Sequence, residues 1–120
     1  MKKIQIDPST KTGSHHWLLQ RISAIALIPL VVWFLYSVVV ISQDVDANLV
    51  VFFAYPLNAI LSILLIIASL YHGSIGLAVV FEDYIASKPS RLIAIYGVHF
   101  LSIVTGVAVI LSIVRLHLVG

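Results

Sequence analysis

The 120 residues are 61% apolar and only 10% charged, with a mean hydropathy of +1.11. A soluble domain carries about a quarter of its residues as charged groups, so a water-soluble enzyme, a nucleic-acid binder and a disordered regulator are excluded. Cysteine is absent and Met1 is the single methionine; disulfides, zinc–thiolate sites, iron–sulfur clusters and thioether-linked haem drop out, leaving histidine or oxygen to hold any metal.

In chain order, the first twenty-one residues are polar and basic, with Lys2, Lys3, Lys11 and Arg21 against Asp7. They are too long for a signal-peptide n-region. The charge-free run that follows, Ile22–Ile41, is twice an ordinary h-region, so a retained span is expected. Its twenty residues make about 30 Å of helix, enough to cross a bilayer core. Pro29 inside the run predicts a kink. A polar connection, Ser42–Asn48, carries Asp44 and Asp46 and no basic residue. Leu49–Phe81 is too long for one simple span; Pro56 suits a first helical turn, so the second helix is expected over 56–83, with 49–55 at the interface. Lys88 and Arg91 precede the third run, Leu92–Val114. In lipid each run must satisfy its own backbone hydrogen bonds, so all three read as helices despite their Ile and Val content. The expected fold is an all-α membrane protein of one domain over 1–120, with helices at 17–41, 56–83 and 91–115. Six basic residues flank one side and Arg115 alone the other, which predicts the N-terminal segment 1–16 inside and the C-terminus outside.

Ionisable groups within such spans are costly and mark function by default. His72 sits in Ser69-Leu-Tyr-His-Gly-Ser-Ile-Gly76. Glycines beside an inward-facing imidazole leave room for a flat cofactor to approach the backbone; equally, Ser69, Gly73 and Gly76 form a small-residue stripe for close helix packing. Its ring nitrogen then needs an acceptor, for which Ser69 and the preceding turn are candidates. Asp83 follows His72 by eleven residues, three helical turns, so both share a face about 16 Å apart. A buried imidazole suits axial haem ligation, and a boundary phenol such as Tyr84 suits a hydrogen bond to a quinone carbonyl; a solvated helix end with a belt tyrosine is the bland alternative. Arg21 opens the first span, either paired bidentately with a carboxylate-bearing group or snorkelling as an anchor. His99 falls at a depth similar to His72, so on the residues alone an intrachain ligand pair stands beside a packing role. Ser102 and Gly106 read as a packing face, and His117 as an inert residue of an exposed tail.

The chain resembles a known family, the hydrophobic membrane anchor subunits of succinate dehydrogenase. The resemblance rests on His72-x10-Asp83-Tyr84 with Gly76 four residues after the histidine, and on Gly13-Ser-His-His-Trp-Leu-Leu-Gln-Arg21-Ile-Ser-Ala-Ile-Ala opening the first span. It implies a subunit without catalysis of its own. Such an anchor pairs with a cytochrome b subunit, holds the flavoprotein and iron–sulfur subunits on a bacterial inner membrane or a mitochondrial one, and serves the tricarboxylic acid cycle and respiratory electron transfer. It further implies His72 as axial ligand to haem b, with the second ligand from the cytochrome b partner. Tyr84 would bind ubiquinone with Asp83 beside it, Arg21 would lie near the haem propionates and quinone pocket, and His15 would lie close by. His16 and Trp17 take no role from it. Two other classes remain: a cofactor-free structural or assembly protein, or the anchor of a fumarate reductase. A channel would need a polar stripe, and His99, Ser102, Thr105 and Ser112 are too few.

Overall fold

The computed structural model describes the backbone of residues 8–120 and the side chains of 15 and 17–120. Lys2, Lys3 and Asp7, and the side chains of Lys11 and His16, lie outside the described residues. Four helices follow one another: α1 (Pro8–Ser42), α2 (Val45–Ala54), α3 (Pro56–Tyr84) and α4 (Lys88–Val119). Three of them are long and apolar enough to cross a membrane, over Trp17–Ser42, Pro56–Tyr84 and Lys88–Val119. α1 is continuous through Pro29 and begins at Pro8, about four turns before the charge-free run opens.

The corner after α1 explains its polar composition. A helix end leaves carbonyls without intrahelical donors. Here Ser42 Oγ and Gln43 Nε2 donate to Val39 O, and Asn48 Nδ2 donates to Val40 O. Asp44 then caps α2, its carboxylate accepting from Ala47 N at 3.3 Å. The stretch 49–55, read from the sequence as interfacial chain, belongs to α2 up to Ala54. Trp33 of α1 packs on Phe52, ring centroids 5.7 Å apart.

The break between α2 and α3 follows from Pro56. The carbonyl of Phe52 would take its helical bond from residue 56, but proline has no N–H. Asn58 Nδ2 donates to Phe52 O instead, at 3.0 Å. The next carbonyl, Phe53 O, accepts from His117 Nδ1 at 2.9 Å. His117 is thus half-buried and tied to α2, which corrects the reading of it as an inert residue in an exposed tail. A chain end can find a distant helix end only through tertiary folding, and local sequence does not show it. We expect Asn58→Leu, which keeps the volume but strips the donor from Phe52 O, to destabilise the fold by about 1–3 kcal/mol. The thermal unfolding midpoint of the purified complex should fall; an unchanged midpoint would show that the carbonyl has another donor.

α3 is the centre of the molecule. It packs against α1, α2 and α4, whereas among the described residues α1 and α4 make no packing contact with each other. Its buried positions are mostly small (Ala59, Ser62, Ser74 and Ala78, with Leu65), which allows close backbone approach where no hydrophobic force drives helices together. Ser23 meets His72, and fourteen residues later Ser37 shares a cavity with Ser62, so α1 runs antiparallel to α3. On the other flank Leu70 lies over Gly106, where a Cβ would come within 3.1 Å of Leu70 Cδ1. The three-residue turn between α3 and α4 is tightened by Arg91, whose Nη1 donates to Ile85 O at 3.4 Å.

Candidate functional site

His72 lies close to the middle of α3, sixteen residues after Pro56 and twelve before Tyr84, or about 24 Å and 18 Å along the axis. It is half-buried, and its ring is turned to α1: Nδ1 stands 3.2 Å from Ser23 Oγ. Ser23 is itself buried, with 8% of its surface exposed, and its hydroxyl donates to Gln20 O at 2.9 Å. A hydroxyl has one proton. With that proton on the Gln20 carbonyl, the imidazole must be the donor in the second bond, so Nδ1 carries hydrogen and Nε2 keeps its lone pair. The acceptor suggested by sequence, Ser69, makes no hydrogen bond to the ring among the described residues; its hydroxyl donates to Ile66 O at 3.2 Å. Helical spacing points to residues on the same helix, whereas the acceptor comes from the neighbouring one.

Gln20 adds a second tie. Its Nε2 donates to His72 O at the long limit of 3.5 Å. Because a carbonyl only accepts, the amide orientation is fixed, and Oε1 is left buried with no hydrogen-bond partner among the described residues. A Cβ at Gly76 would lie 3.7 Å from Gln20 Nε2, an ordinary contact, so Gly76 does lie against α1. Gly73 differs: a Cβ there would meet nothing within 4 Å. Among the described residues, then, the ground beside the imidazole at Gly73 is open. Neither Ser23 nor Gln20 was singled out by the sequence. Both stand in the block that opens the first span, and the signal was a hydroxyl and an amide one turn apart in an otherwise apolar run.

Arg21 lies deeper than its position at the start of the first charge-free run suggests. Two residues before Ser23, it is about 3 Å along α1 from the level of His72, and so about 15 Å inside the end of α3 at Tyr84. The cause is the register of α1 against α3, which sets Ser23 level with His72. The exposed guanidinium lies over Trp17, one turn earlier, with its carbon 5.3 Å from the ring centroid. That cation–π contact offsets part of the cost of the charge at this depth and gives Trp17 a place in the site. His15 is exposed on α1, eight residues before Ser23, about 12 Å from the His72 level.

Asp83 and Tyr84 close α3 at the same end as the basic α3–α4 turn, and both are exposed, Tyr84 with 83% of its surface free. Neither is brought against His72. His99 has other surroundings: it lines a cavity of about 820 Å³ with Trp17, Gln20, Tyr71 and Glu82, and a second with Tyr71, Ser74 and Ser102. His72 lines neither, its ring being held on α1. Among the described residues no cluster of three or more His, Asp or Glu is placed to hold a bare metal ion. What the arrangement offers is one lone imidazole nitrogen beside open backbone, which can supply a single axial bond.

Residues 7–117 match the family described as succinate dehydrogenase/fumarate reductase transmembrane subunit. The chain belongs to this family. It is 42% identical over 106 residues to a succinate dehydrogenase hydrophobic membrane anchor subunit of Rickettsia bellii (strain RML369-C), covering 88% of this chain and 84% of the relative. The like-named protein of Rickettsia conorii (strain ATCC VR-613 / Malish 7) is 36% identical, again over 88% and 84%. A succinate dehydrogenase membrane anchor subunit of Reclinomonas americana is 31% identical over 97 residues, 78% of this chain and 81% of its own length. No solved structure gives a significant match. The chain is a membrane anchor subunit of succinate dehydrogenase, and its three apolar helices make it a multi-pass protein of a bacterial inner membrane.

Proposed function

We propose that this anchor subunit supplies one axial ligand, His72, to a b-type haem shared with a cytochrome b partner, and borders a quinone-reduction site with Tyr84 and Asp83. The observation that carries the reading is the Nδ1–Ser23 bond, which leaves Nε2 bare. The donor set fits a porphyrin better than a free ion: one nitrogen from this chain, open space over Gly73, and a cationic Arg21 at the same depth able to pair with a propionate. The open acceptor Oε1 of Gln20 lies on the same turn of α1. When bound, such a haem supplies one-electron chemistry; its second ligand comes from the partner.

The remaining tasks fall to this chain's own residues. Ser23 and Gln20 hold the ring and backbone of His72 against α1. Tyr84 donates its hydroxyl proton in a hydrogen bond to a ubiquinone carbonyl at the membrane boundary, and Asp83 stands beside it where the two protons of quinone reduction are taken up. Both are exposed in this chain, so surfaces of the iron–sulfur and cytochrome b subunits complete that pocket, while the flavoprotein oxidises succinate. The basic residues of the N-terminal segment and of the α3–α4 turn orient that end to the cytoplasm and the C-terminus to the other side.

The test is a reduced-minus-oxidised optical spectrum of the purified four-subunit complex, which should show one low-spin b-type haem per complex; its absence leaves a cofactor-free tether. Charge reversal by Arg21→Glu should lower haem retention by about tenfold or more through repulsion of the propionates. Unchanged haem content would reduce Arg21 to an interfacial anchor.

A further inference from the structure

The bond between α1 and the imidazole has a consequence for the electron-accepting group itself. We propose that Ser23 is a positioning residue that sets the tautomer, ring orientation and electron-donating strength of His72, and thereby tunes the potential of the haem that the proposed function assigns to it. The inference rests on that assignment. Three observations support it. The Ser23 hydroxyl is buried and already donates to Gln20 O, so toward Nδ1 it can only accept. The serines close to His72 along α3 make no bond to its ring among the described residues, Ser69 donating to Ile66 O and Ser74 to Tyr71 O. Finally, Gln20 Nε2 grips the His72 carbonyl from the same turn of α1, so side chain and backbone of one residue are both fastened to one turn of the neighbouring helix. A slip of α1 by one residue, about 1.5 Å and a third of a turn, would break both ties.

The acceptor's chemistry sets the direction of the tuning. Donation from Nδ1–H pushes electron density to Nε2 and makes it a stronger ligand, the more so the more basic the acceptor. A stronger donor favours the ferric state and lowers the potential. A serine oxygen, itself neutral and polarised by its own bond to Gln20 O, is a moderate acceptor. It keeps the potential higher than a carboxylate would.

The experiment compares Ser23→Ala, Ser23→Thr and Ser23→Asp in the intact complex by redox titration of the haem and by its low-spin electron paramagnetic resonance spectrum. Loss of the acceptor in Ser23→Ala should raise the midpoint potential and broaden the resonance as the ring loses its fixed orientation. Ser23→Asp should shift the potential the other way, and Ser23→Thr, which keeps the hydroxyl, should restore the parent values. Identical potentials and spectra in all three, at full haem occupancy, would overturn the inference while leaving His72 as ligand. If Ser23→Ala prevents assembly, the Asp and Thr variants carry the test: the potential must be lower with Asp, and equal values overturn it. A complex without haem, or one whose His72→Ala variant stays low-spin, overturns the ligand assignment and this inference with it.

Discussion

His72→Ala should convert the complex from a low-spin to a high-spin or haem-depleted form while leaving succinate oxidation by a soluble artificial acceptor intact. The size of the effect follows from the number of ligands. His72 offers one lone-pair nitrogen near mid-membrane, its ring held by Ser23, and among the described residues no cluster of three or more His, Asp or Glu stands ready to replace it. Loss of an outer-shell partner of a metal ligand typically costs tenfold to a hundredfold in affinity, so loss of the ligand itself should cost at least that. His99 is a poor substitute, since it lines cavities beside Tyr71 that His72 does not enter. The measurement is the ratio of haem to flavin in the purified complex together with the spin state. A variant with full haem content and an unaltered low-spin spectrum would remove His72 from the ligand set and return the chain to the class of cofactor-free tethers.

Tyr84→Phe should lower kcat/KM for ubiquinone by about tenfold to a hundredfold, with succinate oxidation by a soluble acceptor preserved. The substitution removes one oxygen from a side chain that is almost wholly exposed in this subunit, so neither packing nor helix propensity changes much. A hydrogen bond to a group gaining negative charge is worth about 1.5–3 kcal/mol, which sets the range. Steady-state assays with the two acceptors separate the outcomes. An equal fall in both activities would indicate failed assembly, and no fall in either would make Tyr84 a belt residue that only marks the membrane boundary.

The elements that the sequence made legible are those set by local rules. Length and lack of charge marked three membrane-crossing helices, and the missing N–H of Pro56 marked the start of α3. A histidine among apolar residues stood out for the cost of burying it. What the sequence did not make legible depends on how one helix is rotated and shifted against another. α2 is a ten-residue helix whose stability comes from its Asp44 cap and its packing on α1, α3 and α4, and an apolar stretch that short carries no clear period. The acceptor for His72 lies forty-nine residues away, and no spacing within α3 points to it. The depth of Arg21 depends on the register of α1 against α3, which the Ser23–His72 contact fixes. His117 was misplaced because its partner, Phe53 O, is a carbonyl that only the break at Pro56 sets free.

One feature of the packing bears on behaviour in the native bilayer. Among the described residues α1 leans on α3 and α2 and makes no packing contact with α4, so no described helix packs α1 down from its other side. Its setting is that of an open book pressed shut from outside, by acyl chains and by companion subunits. A bilayer too thin or too fluid to keep α1 upright should therefore loosen the Ser23–His72 tie well before it unravels the fold.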